Sequence, residues 1–211
     1  MESARLTTML QKPILTRPEL SADNAMRLFW WVDRDLRRAT LEKYGFGPGR
    51  LESALDKAVE EKLNAHIFES SNDSAMETLA DWMEERDALT TRFFLPMLRM
   101  GHYRLFNVVL GRLNQLELSL VDVITEKAGG RMMVALCRSL NIDKGSFISI
   151  YLLSRGGRRD EQVVNPRELS VTMEAFDRLS PVVAEVMVQS WRADPSDVYK
   201  RVEMPLESLE A

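Results

Sequence analysis

GGRMMVALCRSLNIDKGSFISIYLLSR, residues 129–155, reads as a helix, a short polar turn and a second helix. A glycine pair opens it, and the polar NIDKG separates two arms rich in apolar residues. FFLPMLRMGHYRLFNVVLGRL, residues 93–113, follows the same plan with a tighter glycine turn. Leu98 aligns with Leu136, and Phe106 and Val109 align with Phe147 and Ile150, an offset of 38 to 41 residues. That is close to the roughly 40-residue period of HEAT-type helical hairpins. LSLVDVITEKA joins the two pairs as a short connecting helix.

Composition points the same way. The chain has 211 residues, 45% of them apolar, with only 10 glycines and 8 prolines. Runs that alternate apolar and polar residues over strand lengths are few, so an all-α chain is expected, either hairpins stacked as a short HEAT-like array or an irregular helical bundle. A net charge of -4 weighs against a general nucleic-acid binder. The uncharged stretch Gly145–Ser154 is too short to cross a bilayer, so no membrane insertion is expected. MESARLTTML lacks the apolar run of a signal peptide, and a single cysteine rules out a disulfide framework. These features predict a cytoplasmic protein.

Along the chain, residues 1–20 read as a lead-in segment. Ser21 is placed to cap one long helix, SADNAMRLFWWVDRDLRRATLEKY, which the Gly-Pro run GFGPG stops. A helical stripe follows at Leu51, Leu55, Ala58, Val59, Leu63 and Ile67. SSND breaks it, and Ser74 is expected to cap an acidic helix reaching Arg86. The main helical array thus spans residues 21–154, a linker loop 155–166, a closing helical pair 167–193 and a disordered tail 194–211. Pro181 fits the first turn of the last helix.

ILTRPELSADNAMRLFWWVDRDLRRATLEKYGF, LRMGHYRLFNVVLGRL and MMVALCRSLNIDKGSFISIYLL resemble the bacterial family known as domain of unknown function 2336. The resemblance runs from about Leu15 to Trp191 and rests on apolar spacings and small turns. It implies a cytoplasmic bacterial protein with a helical, HEAT-like body, and it transfers no catalytic or ligand-binding residue.

RLFWWVDRDLRRA, residues 27–39, sets two tryptophans side by side. On a continuous helix, at about 100° per residue, Ala25, Leu28, Val32, Leu36 and Ala39 gather on one face. Phe29 and Trp31 flank that core stripe. Trp30 falls nearly opposite, beside Met26, Arg37 and Leu41, with Asp33 and Arg34 at the edges. Apolar groups on two sides of a helix mean that it is sandwiched. Either Trp30 packs on a later helix, such as the closing pair, or Trp30, Met26, Arg34 and Arg37 form a face for a partner or a second copy, since Trp and Arg are enriched among interface hot spots.

No dinucleotide, P-loop or nucleophile-elbow motif occurs. His66 and His102 lack ligand-spaced companions, so no metal is expected, and His102 reads as an ordinary polar turn residue. Cys137 sits among apolar neighbours as a structural thiol. Glu77, Asp81, Glu84, Glu85 and Asp87 fit a solvated helix face over buried Leu79, Trp82 and Met83. Arg155, Arg158 and Arg159 read as a solvated linker or, less simply, a phosphate contact. EKAGGRMM has two readings. Lys127, Gly129, Gly130 and Arg131 can bind an anion at a helix start, or the glycines serve a helix–helix turn. With no catalytic grouping and no cofactor motif, the sequence leads to a non-enzymatic interaction or adaptor module. Its partner is an unidentified protein or a second copy. The alternative is a sensor of a small anionic ligand.

Overall fold

A computed structural model describes residues 8–65, 72–126, 130–155 and 165–203, with side chains described as far as Lys200. The described residues form thirteen α-helices and one 3₁₀ turn, with no strand among them. The chain divides into two compact units, Met1–Ala65 and His66–Ala211, so the division falls inside the span 21–154.

The first unit holds α1 (Thr8–Leu15), α2 (Ala22–Phe29), α3 (Arg34–Tyr44) and α4 (Pro48–Ala65). Ser21 caps α2 as expected, its side chain accepting from the Asn24 N–H. The expected single helix over 21–44 is, however, two. The chain leaves helical geometry at Trp30–Asp33, and the Asp33 carboxylate accepts the Leu36 N–H at 2.9 Å to start α3. Asp competes with the helix for backbone N–H groups, so a mid-pattern Asp is as much a cap as a surface charge. Gly45 closes α3 in the left-handed conformation (φ 59°) and turns Phe46 back into the core. There Phe46 stacks on Tyr44 and meets the edge of Phe29.

The second unit holds α5 (Asp73–Glu84), α6 (Phe94–Arg99), α7 (Tyr103–Asn114), α8 (Leu118–Glu126), α9 (Gly130–Ser139), α10 (Lys144–Arg155), α11 (Pro166–Arg178), α12 (Pro181–Ala193) and α13 (Ser196–Glu203). Asn72, one turn-forming residue earlier than Ser74's neighbour Asp73, caps α5, so the cap expected at Ser74 lies elsewhere. The helix α13 occupies part of the segment expected as a tail. Both hairpins exist as α6–α7 and α9–α10, and all six aligned positions are buried: Leu98, Phe106 and Val109 in one, Leu136, Phe147 and Ile150 in the other. The hairpins meet with α6 on α10 and α7 on α9.

The centre of this unit is α9. It packs against α7, α8, α10, α11 and α12, and Met132 through Cys137 are all buried. A helix apolar on every side needs enclosure on every side. At its first residue, Gly130, a Cβ would stand 2.6 Å from Cγ2 and 2.9 Å from Cβ of the buried Thr172 on α11, and closer still to its Oγ1. Thr172 is β-branched and held at 1% exposure, so it has no room to yield. Gly130→Ala is therefore expected to destabilise the unit by about 1–3 kcal/mol through overpacking. Differential scanning calorimetry should show a lower melting temperature, partly restored by adding Thr172→Ala.

Candidate functional site

In the first unit, the broken helix changes the position of both tryptophans. Trp30 is the C-cap of α2 and is half-buried. Its Nε1–H donates to the Leu51 carbonyl at 3.1 Å, its ring meets Phe29 edge-on at 4.8 Å, and the Arg37 guanidinium lies 5.7 Å over it. The later helix that receives it is α4. Of its expected companions, Met26 is buried in the same core and Arg34 is exposed. Trp31 lies under Lys62, with its carbonyl accepting from the buried Gln11 side chain at 3.0 Å. A groove of about 480 Å³ runs between α2 and α4, lined among others by Met26, Trp31, Ala54 and Ala58 and edged by Asp23, Arg27 and Lys57. Trp30 does not line it.

The expected anion-binding group is only partly within the described residues. Lys127 and Gly129 lie outside them. Gly130 is packed against Thr172, and Arg131 is exposed. Close helix approach thus accounts for Gly130. Arg155 corrects the reading of a solvated linker cation: it ends α10, is 3% exposed, and forms an ion pair with the partly buried Glu168. The Tyr151 hydroxyl donates to Glu168 at 2.8 Å and accepts from Arg155 at 2.7 Å. Arg158 and Arg159 lie outside the described residues, as does His66.

Other charged groups serve packing between helices. Arg104 on α7 grips Asp73 at the start of α5 with two bonds of 2.7 and 2.9 Å and also pairs with Asp122 of α8. Asn107 adds a bond to Asp122 at 2.9 Å. Arg112, two turns on, joins Asp81 and Glu84, so part of the solvated acidic face is tied to α7. The Arg104 guanidinium holds the Asp73 carboxyl below its ordinary value of 3.8, chiefly through the hydrogen bond. Cys137 is fully buried, and desolvation pushes its thiol far up, which suits a structural role. His102 does lie in the turn after Gly101, at the start of α7, and is fully buried there. Among the described residues, no group of three or more His, Cys, Asp or Glu side chains can hold a metal ion. No helix among them is long and apolar enough to cross a membrane.

The feature that sequence reasoning missed is the outer face of α12, a helix it did expect. Its inner face is anchored by Ala184, Val188 and Trp191, all buried, with α9 packed against this helix. Arg192 extends that anchor, its Nε–H donating to the Asn114 carbonyl at 2.7 Å. The outer face carries Val182, Val183 and Val186, at 74%, 51% and 59% exposure, and continues through Gln189, Ser190 and Ala193. It bears no charge. Glu185 and Arg192 stand at its margin, paired with each other at 3.3 Å. The available signal was PVVAEVMVQSWRA itself, in which apolar residues occupy both sides of the wheel. That is the argument made for Trp30, and it holds where the helix is continuous.

Two measurements test these assignments. Trp30→Phe removes one partly buried hydrogen bond and is expected to cost about 1–2 kcal/mol, with hydrogen-exchange protection falling within residues 8–65 only. For Asp73, a depressed folded-state pKa means that its pairing adds stability in full above the ordinary 3.8 and loses it as pH falls through the folded value. Urea midpoints should therefore hold down to about pH 4, fall as the pH is lowered below it, and fall less in Arg104→Met.

No curated protein and no solved structure matches the chain. A family model described as an uncharacterised protein conserved in bacteria, DUF2336, matches residues 1–189. The match takes in α1 through most of α12, including the α9 centre and the valine face. The chain belongs to this bacterial DUF2336 family.

Proposed function

We propose that the chain is a non-enzymatic protein-interaction or adaptor module that docks a partner protein on the outer face of α12. The observation that carries this reading is the uncharged face headed by three exposed valines. Soluble proteins seldom leave contiguous apolar helix faces open, and those they leave mark interaction sites. The two hairpins, HEAT-like in their spacing, serve as the rigid platform that presents this face. The alternative, an anion sensor at the start of α9, has less behind it because Thr172 already explains Gly130.

Affinity capture of the tagged chain from native bacterial extract, wild type beside Val186→Glu, tests the reading. Val186 is exposed and Glu is the better helix former, so the variant keeps its helicity by circular dichroism. The expected result is a protein retained by wild type and lost from the variant. Quantified with the purified partner, binding should weaken by about 2–3 kcal/mol, tens- to hundred-fold. Identical captures would overturn the α12 assignment.

A further inference from the structure

We infer that the groove between α2 and α4 is a binding site for a small aromatic anion, its ring laid against Met26 and Trp31 and its acidic group met by Arg27 and Lys57. This site is independent of the α12 face. The first argument is charge. Arg27, Arg50 and Lys57 all line the groove, with Asp23 and Glu61 as its acidic members. Asp23 is taken by Arg50 at 2.8 Å. Among the described residues, none hydrogen-bonds to or pairs with Arg27 or Lys57. Glu61 stands one turn beyond Lys57 on α4, so it offsets one of these two cations at most. The groove therefore holds an excess of positive charge, in a chain whose net charge is -4. Clefts with one sign of charge concentrate the opposite ion. An arginine and a lysine supplied by separate helices suit a carboxylate, sulfonate or phosphate group.

The second argument is shape. Gly49, Ser53, Ala54 and Ala58 line the α4 wall with small side chains, which leaves the groove open. Its volume of about 480 Å³ lies within the range of small-molecule sites. Met26 is buried and Trp31 half-buried, so the core beneath fixes the apolar lining. The Lys62 ammonium, 4.9 Å from the centre of the Trp31 ring, also holds the indole in place. A flat aromatic body gains ring contact with Trp31 and sulfur contact with Met26, beyond the area that an alkyl chain would bury. A groove leaves one side of its ligand in water, so the affinity is expected to be micromolar or weaker.

Titration of the full chain with anilinonaphthalene sulfonate, an aromatic anion whose fluorescence rises when it leaves water, tests the site from about 1 µM to 1 mM dye. Binding should saturate at a single site. The neutral analogue N-phenylnaphthylamine, which lacks the sulfonate, should bind at least about tenfold more weakly. The double variant Arg27→Gln/Lys57→Gln should lose the sulfonate dye to a similar extent. Both side chains are exposed and Gln is a good helix former, so helicity by circular dichroism is retained. Ser53→Leu, which sets a larger side chain on the groove wall, should weaken binding without changing charge. Raising salt from about 50 to 500 mM should weaken the sulfonate and spare the neutral dye, a readout that needs no variant. Val186→Glu should change nothing, which separates this site from the α12 face. No saturable binding up to about 1 mM, equal affinity for the neutral dye, or indifference to both groove variants overturns the proposal. Dye lost in Val186→Glu instead lies on α12, and that result also overturns the groove while leaving the α12 reading in place.

Discussion

Enclosure of α9 is the constraint on which the larger unit depends. A ten-residue helix with Met132 through Cys137 all buried cannot exist at a surface, so five helices must close round it. The tightest point of that closure is Gly130 against Thr172, where α11 comes so near that only a hydrogen fits in place of a side chain. Once α11 is seated there, α12 follows within a two-residue connection and lays Ala184, Val188 and Trp191 inward. A helix has no third choice for its remaining side chains. Whatever lies opposite Trp191 faces outward, and here that is the valine face.

Polar groups set positions within this frame more than they stabilise it. Arg104, bound to Asp73 and Asp122, fixes how α5, α7 and α8 meet, and Arg112 repeats the device two turns later. Surface ion pairs contribute little free energy each, but bidentate geometry is selective. The Arg155–Glu168 pair, its cation buried and its carboxylate partly so, does the same with the Tyr151 hydroxyl for the ends of α10 and α11. Removing Glu168 would strand the buried Arg155 charge, which is why such pairs hold register more than they add stability.

Much of the fold was legible because it is written in local signals. Gly-Pro stops, caps such as Ser21, and the paired 93–113 and 129–155 patterns survive into the structure as helix ends and hairpins. The failure at Trp30–Asp33 has a definite cause. A periodicity of 3.6 continued through Asp33, and its capping bond to Leu36 outweighed that periodicity. With the helix broken, the wheel that set Trp30 opposite the core stripe no longer describes the chain, and Leu51 of α4 receives the indole instead. Arg155 was misread for a related reason. A glycine-rich sequence beside it suggested solvent, but the pairing that buries it comes from Glu168, thirteen residues on. Contacts of that kind are tertiary, and no local pattern carries them.

The valines of α12 raise an energetic question about the folded chain. In a helix, valine is a few tenths of a kcal/mol less favourable than alanine, because its branched side chain loses rotamer freedom against the preceding turn. Inward, Val188 recovers that cost through burial, as does Trp191. Outward, Val182, Val183 and Val186 recover only part of it while the face is wet, and Pro181 with Ser180 already starts the helix without them. Their apolar area yields a return of about 25 cal/mol per Å² only when water leaves it. The folded chain by itself returns only part of that area, and a covered face would return the rest.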